Sequence, residues 1–337
     1  MLWNQKTNKG LINAVHCVNR FIGVRSLPLR KYSDVVLEQL RSRSLLRLHG
    51  KDVKPYLQGL ITNDMNHFAY GSNSIYAMFL NAAGRVLYDC IIYKMPNKTN
   101  DFLLECDNTV LNKLETHLNL FRVRKKVTIT SADFDAWVAF NPVSPDCPVP
   151  NTIQPEDSAV AVYKDVRLRD LGFRIIANKA TTCESLRGLF PSSTNFDHSI
   201  TYLEHRYGLG VGEGVVNFPP GACFPSESNC DFLHGLSFHK GCYIGQELTA
   251  RTHHTGVVRK RLMPLFLEKK GFNELELTSD AQIKSKEGEI VGKLRGVTNR
   301  VGLGLLRIEK VLNSPSLIIA DKIVCTTQKP QWWPVEQ

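Results

Sequence analysis

The chain has 337 residues, 43% hydrophobic and 22% charged, with 42 Lys and Arg against 32 Asp and Glu and a formal net charge of +10. That length accommodates about two or three domains, and the balance excludes a disordered polyelectrolyte; no run of about 18 consecutive apolar residues exists, which excludes a membrane-spanning helix. Nine cysteines lie scattered at positions 17, 90, 106, 147, 183, 223, 230, 242 and 325 without a C-x-x-C pair, which argues against a disulfide framework and for buried thiols in a reducing compartment.

Residues 1–33 carry Lys6, Lys9, Arg20, Arg25, Arg30 and Lys31 but no acid, and Asp34 is the first carboxylate. An acid-free, basic, partly apolar leader reads as a mitochondrial or plastid transit peptide, with a basic tail as the alternative. Without it the chain holds 36 basic against 32 acidic residues, a net charge of +4. The basicity is then mostly an address, and nucleic acid is not an expected partner.

The segment "LLRLHGKDVKPYLQGLITND" reads as a strand, a Gly50 turn and a short helix capped by Asp52, with Val53, Tyr56, Leu57 and Leu60 on one face. Strands on either side of Asn81-Ala82-Ala83-Gly84 form a hairpin, and "DFLLECD" adds another strand. Asp107 caps a helix whose apolar positions, Val110, Leu111, Leu114, Leu118 and Phe121, recur at three and four. "KKVTITSAD" and "AWVAF" follow as strands, so this block is an α+β layer with a helix on an antiparallel sheet. Five prolines between Asn141 and Ser158 make a loop or linker. Further strands and a helix in "SITYLEHRYGLG" lead to a Gly/Pro-rich stretch, and from Val257 short glycine-punctuated strands predict a small β-barrel or sandwich.

The densest chemistry is "KGCYIGQELTAR", residues 240 to 251. Cys242 stands beside Lys240 and His239 and just before a predicted helix, and both cations and a helix N-terminus favour the thiolate. Gly241 there permits a close backbone approach or a positive φ. Glu247 falls in the first helical turn, where it also reads as an i,i+4 partner of Arg251. His253 and His254 project about 100° apart on a helix and do not make a zinc pair. Asp89 is a carboxylate inside the apolar strand "VLYDCIIYK", so it is paired, hydrogen-bonded or in a cleft.

The stretch Lys240, Gly241, Cys242, Tyr243, Gly245, Gln246, Glu247 and Arg251 matches every fixed position of K-G-C-Y-x-G-Q-E-x-x-x-R. It resembles the hallmark of the YgfZ-type branch of the folate-binding, aminomethyltransferase-like superfamily, and the resemblance runs from about Ser44 to Trp333, through "LHGKDVKPYLQGLITND", "FLNAAGRVLYDCIIY" and "YLEHRYGLGVGEG". It implies an α+β fold: a three-domain ring around a central channel that suits a pterin. Residues 34–66 and 159–254 would form a split first domain carrying the motif, 67–158 a ferredoxin-like second domain, and 255–330 a C-terminal β-barrel.

The eukaryotic members of that branch imply a mitochondrial matrix factor in iron–sulfur cluster assembly, serving [4Fe–4S] enzymes such as aconitase and lipoyl synthase. An assembly role is favoured over an enzyme with turnover. Four thiolates normally hold a cluster, so a lone Cys242 implies a cluster shared with an A-type scaffold protein. The alternative is a tetrahydrofolate-dependent one-carbon transferase or scavenger. Asp89 falls where aminomethyltransferases place the aspartate that meets the folate amine, with Cys242 as nucleophile. Against aminomethyl transfer, their Y-T-G-E segment has no counterpart near "RDLGFRIIAN", and "ITYLEHRYG" replaces their arginine-rich stretch.

Overall fold

The computed structural model describes residues 34–96, 98–150, 160–197, 199–268 and 277–335; the basic leader and much of the proline-rich loop lie outside them. Two five-stranded sheets and a closed barrel account for the strands. In chain order these are β1 (Asp34–Gln39), β2 (Arg43–His49), β3 (Ser74–Leu80), β4 (Val86–Lys94), β5 (Asp101–Asp107), β6 (Thr128–Ser131), β7 (Phe134–Phe140), β8 (Val160–Lys164), β9 (Phe173–Asn178) and β10 (Asn195–Phe196). The barrel strands are β11 (Lys260–Leu267), β12 (Gln282–Ser285), β13 (Ile290–Val297), β14 (Val301–Arg307), β15 (Leu317–Ile319) and β16 (Ile323–Thr327).

One sheet has the order β10-β1-β7-β9-β8 and the other β3-β4-β5-β2-β6. The first is therefore interrupted in sequence: β1 precedes all of the second sheet, and β7 returns to pair antiparallel with it. β2 pairs with β5 and β6, so residues 43–49 belong to the second sheet, and the chain crosses back between Ser131 and Phe134.

The alternation of β3 explains how the sheets stack. Tyr76, Met78 and Leu80 join one apolar core with Val138, Phe140 and Ile176 of the first sheet. Ile75, Ala77 and Phe79 face the opposite way, into a core shared with helices α1 (Val53–Gln58) and α2 (Leu111–Arg122). A strand buried on both faces reads as a continuous apolar run, as "SIYAMFL" does. The hairpin turns at Asn81–Gly84, where Arg85 N donates to Asn81 Oδ1 at 3.0 Å. Asp107 caps the α2 entry through Thr109 N at 2.8 Å. Asp52 occupies the α1 N-cap position but makes no side-chain cap bond; its carboxylate accepts from Lys126 N at 2.8 Å.

Short helices α3 (Cys183–Arg187), α4 (Tyr202–Gly208), with a Thr201/Glu204 capping box, and α5 (Gly214–Asn217) precede α6 (Gln246–Thr255). The barrel closes in the order β11-β14-β13-β12-β15-β16, with β16 back on β11. It contains two elements without a strong periodic signal, α7 (Ile308–Leu312) and the three-residue β15. A bulge at Leu294/Gly296 fits it to the rest of the molecule: a Cβ on Gly296 (φ +153°) would lie 2.0 Å from Tyr207 Oη. Asn217 Nδ2 completes that joint by donating to Arg295 O at 2.6 Å and Tyr207 Oη at 2.9 Å.

Candidate functional site

The motif loop is held from below by the segment that follows α1. Ile244 N donates to Gly59 O at 3.2 Å and Ser237 N to Thr62 O at 3.0 Å. Thr62 Oγ1 donates to Gly235 O at 2.7 Å, and Asn63 Nδ2 to His234 O at 2.8 Å. "LITND" is thus the floor on which "GLSFHKGCYIG" lies.

From the side the loop is clamped by the β3–β4 hairpin, and the responsible glycine is Gly245. Its φ is +79°, and a Cβ there would meet Asn81 O at 2.3 Å, Leu80 Cβ at 2.9 Å and Gly84 Cα at 3.1 Å. Gly84 (φ +73°) faces it reciprocally, its own Cβ position 2.9 Å from Gly245 O. The conformational freedom assigned to Gly241 belongs here instead: Gly241 has no positive φ, and nothing lies within 4 Å of its Cβ position. Gln246 fastens the turn, its Oε1 accepting from Tyr243 N at 3.1 Å. Glu247 lies exposed in the first turn of α6, and Arg251 is exposed one turn later.

Cys242 emerges from this clamp three residues before Gly245 and is the exposed member of the eight described cysteines. Burial pushes the thiols of Cys106, Cys147 and Cys325 up to about 12 and that of Cys223 up to about 11, so these sulfurs are poor thiolates. Among the described residues no group of three or more His, Cys, Asp or Glu side chains is placed to hold a metal ion. His253 is stacked on Phe238, ring centroids 3.6 Å apart and 9° from parallel, with His254 edge-on at 5.1 Å.

Lys240 turns its ammonium to the floor of the loop. Its ammonium donates to Ile61 O at 2.6 Å and Asn63 O at 2.7 Å and lies 4.8 Å from the Tyr243 ring centroid. Burial draws its pKa down to about 8, with nearby Asp64 opposing the shift. Lys240 is therefore a bolt between the loop and its floor. Behind the loop, Leu248, Thr249 and Thr252 of α6 line an open cavity of about 310 Å³ with Phe224, Val257 and Arg259 among its other walls.

Asp89 belongs to a different place. On β4 it shares the inner face with Ile91 and Tyr93, directed at the first sheet. It is 3% exposed; Arg43 Nη1 lies 3.2 Å from Oδ2, and Gly214 N donates to Oδ1 at 3.1 Å. Arg43 Nε also donates to Glu105 at 2.7 Å. Arg167 bridges Asp165 and Glu213 at 2.7 Å each, and Arg174 binds Glu213, Asp165 at 3.3 Å and Tyr202 Oη at 3.0 Å. Three arginines and four carboxylates thus form an ion lattice between the two sheets. Burial pushes the Glu213 carboxyl up, and Arg174, Arg167 and Arg43 outweigh it, holding Glu213 well below the usual carboxylate range. Asp165 is lowered as well, Arg167 prevailing over its burial.

Both Asp89 oxygens thus have protein partners, Arg43 Nη1 and Gly214 N. Arg43 Nη2 and Tyr76 Oη are buried without a protein hydrogen-bond partner, sites a water molecule can satisfy. Asp89 is the lattice residue expected from the sequence. The same signal, a charge inside an apolar strand, also marks Glu105 in "DFLLECD" and Arg174 in "FRIIAN".

Comparison with known proteins agrees with this architecture. Residues 259–335 match the family model described as CAF17, C-terminal beta-barrel domain. The glycine cleavage system aminomethyltransferase T from Bartonella henselae superposes with a TM-score of 0.67, covering 89% of this chain and 87% of that one, at 12% identity; the likeness is one of fold. In sequence, the iron–sulfur cluster assembly factor IBA57, mitochondrial, of Homo sapiens is 40% identical over 311 residues, covering 88% of this chain and 85% of the relative. The Mus musculus protein of the same name is 36% identical over 340 residues, 95% and 92% of the two chains. The Dictyostelium discoideum homolog is 32% identical over 275 residues, 72% of this chain and 65% of that one. With the motif, the aminomethyltransferase-like fold and relatives matched over most of their length, the chain belongs to the IBA57 family of mitochondrial iron–sulfur cluster assembly factors.

Proposed function

We propose that this chain acts in the mitochondrial matrix by offering Cys242 as one thiolate ligand to an iron–sulfur cluster held jointly with an A-type scaffold protein, in the maturation of [4Fe–4S] enzymes such as aconitase and lipoyl synthase. The observation that carries the reading is the setting of Cys242: exposed, on a loop clamped by Gly245, Gln246 and Lys240, with no ligand set of its own among the described residues. An iron–sulfur site takes about four ligands, so the remainder come from the partner. The cluster is cargo, and the chain's task is to present one sulfur in a fixed position at an interface. Glu247 and Arg251 lie on the helix that the loop opens and flank this interface, and the cavity behind α6 gives it relief.

Depleting the protein and restoring it as wild type or as Cys242→Ala tests the role in cells. The expected result is low aconitase activity and low protein lipoylation on depletion, recovered by the wild type and not by the variant. Normal activity and lipoylation after depletion would sink the proposal.

Tetrahydrofolate-dependent one-carbon transfer is the second reading, favoured by the fold likeness. The engagement of Asp89 by Arg43 and Gly214 weighs against it. Fluorescence titration with tetrahydrofolate decides: saturable binding weakened by Asp89→Asn supports it, and no saturable binding removes it.

A further inference from the structure

The end of α2 presents apolar side chains to water beside a concentration of positive charge. Leu120 is 72% exposed, Phe121 39% and Val123 83%. Arg122 stands among them, and Arg124, Lys125 and Lys126 follow, exposed. The start of α1 lies alongside, because Lys126 N donates to Asp52 Oδ2 and Lys126 O packs under Gly50, so Lys51 and Lys54 extend the same surface. Between residues 111 and 126 Glu115 is the only acid. Asp52 is occupied with the Lys126 amide, and among the described residues no carboxylate forms a salt bridge with any of these six cations.

The backbone adds a second, independent observation. Val123 closes α2 with φ +43° and ψ −109°. A β-branched residue is strongly disfavoured at positive φ, and this φ/ψ pair lies outside the left-handed helical well as well, so it is a conformation that ordinarily takes Gly. Folding gains nothing from an isopropyl group that the strained turn then holds in water, and such outliers collect where a surface is used.

We propose that this tip is a peripheral docking site for an anionic phospholipid surface, with Leu120, Phe121 and Val123 entering the headgroup–acyl boundary and the six cations facing lipid phosphates. Apolar side chains at the apex and cations around them are the arrangement that binds in the plane of a membrane without crossing it. No described helix is long and apolar enough to span a bilayer, so contact is confined to the interface. Lysine is depleted in protein–protein interfaces, whereas four of these six cations are lysines, which favours lipid over an acidic protein. Phe121 is the one aromatic of the tip, too few for stacking along a single-stranded nucleic acid.

Flotation of the full-length protein with vesicles of phosphatidylcholine alone, or of phosphatidylcholine with cardiolipin, tests this. Because the leader is itself basic, the decisive comparison is between full-length wild type and full-length variants. Wild type is expected to float with cardiolipin vesicles, to leave them at raised salt and to ignore phosphatidylcholine. The pair Lys125→Glu and Lys126→Glu should lower the partition at least about tenfold. Leu120→Ser with Val123→Gly should lower it about tenfold while leaving thermal stability unchanged or higher, since Gly accepts the positive φ that Val resists. Retention equal on both vesicle types, no retention, or equal retention of both variants would each overturn the proposal. So would charge-dependent capture on polyglutamate without vesicle binding, which would assign the tip to an acidic protein.

Discussion

Between the sheets, Arg43, Arg167 and Arg174 face Asp89, Glu105, Asp165 and Glu213 almost wholly buried, while just before α6 Cys242 stands exposed with no metal-ligand set around it among the described residues. The first place has the perturbed titrations, the dense hydrogen bonds and the burial that usually draw attention to a catalytic centre. Its groups neutralise one another, however, and what they accomplish is to join β2, β4 and β5 to β9 and Glu213. The second place has a single reactive atom, and its surroundings are spent on holding the loop. Strong electrostatics here mark a joint, and the unshielded sulfur on its clamped loop is the place where we propose that a partner is met.

Disrupting each place in turn sharpens that contrast. The largest effect is expected from Glu213→Gln, which leaves Arg167 and Arg174 under-compensated in the interior and should cost about 3–5 kcal/mol by urea unfolding. Glu213 has a folded pKa below its unfolded value of about 4.3, so the stability it contributes is present above that value and is lost as pH falls through the folded one. The variant should therefore show a flatter acid limb as well as a lower plateau. A wild-type-like stability of Glu213→Gln would deny the lattice its joining role.

Gly245→Ala comes next. A Cβ at φ +79° and 2.3 Å from Asn81 O should cost about 1–3 kcal/mol and raise amide exchange at residues 240–246, with little change in the barrel. Lys240→Met is a subtler probe. With a folded pKa of about 8 against an unfolded value of about 10.4, Lys240 binds its proton less tightly in the folded state. Wild-type stability should accordingly gain from this group as pH rises between those values, and the gain should vanish in the variant. The smallest stability change, within about 0.5 kcal/mol, is expected for Cys242→Ser, because the side chain is exposed. Equal losses for Cys242→Ser and Glu213→Gln would erase the distinction between the two places.

Local chemistry was readable in the sequence where a pattern is short-range. The hairpin at Asn81–Gly84, the Asp107 cap, the α2 periodicity and the glycine-punctuated barrel strands all appear in place. The three-residue β15 carries too little pattern to read, and α7 follows β14 without a capping side chain. Sheet membership of β2 depends on pairing with residues more than 50 positions away, which no local signal encodes. The motif showed the same limit. Its spacing located Cys242 and the helix, but Lys240 turned to the Ile61 and Asn63 carbonyls, and the indispensable glycine proved to be Gly245, because both depend on how a distant floor and hairpin fold against the loop. Asp89 was visible as a charge out of place, and only the folded arrangement identifies Arg43 and Gly214 N as its partners.

The most direct test of the Cys242 role is the visible absorption of a purified mixture of this protein with an A-type scaffold partner and a cluster source, followed by size exclusion. A shared cluster predicts a coloured complex of the two proteins for the wild type. It also predicts loss of both colour and co-elution for Cys242→Ala, at unchanged thermal stability. An equally coloured, equally stable complex formed by Cys242→Ala would contradict it.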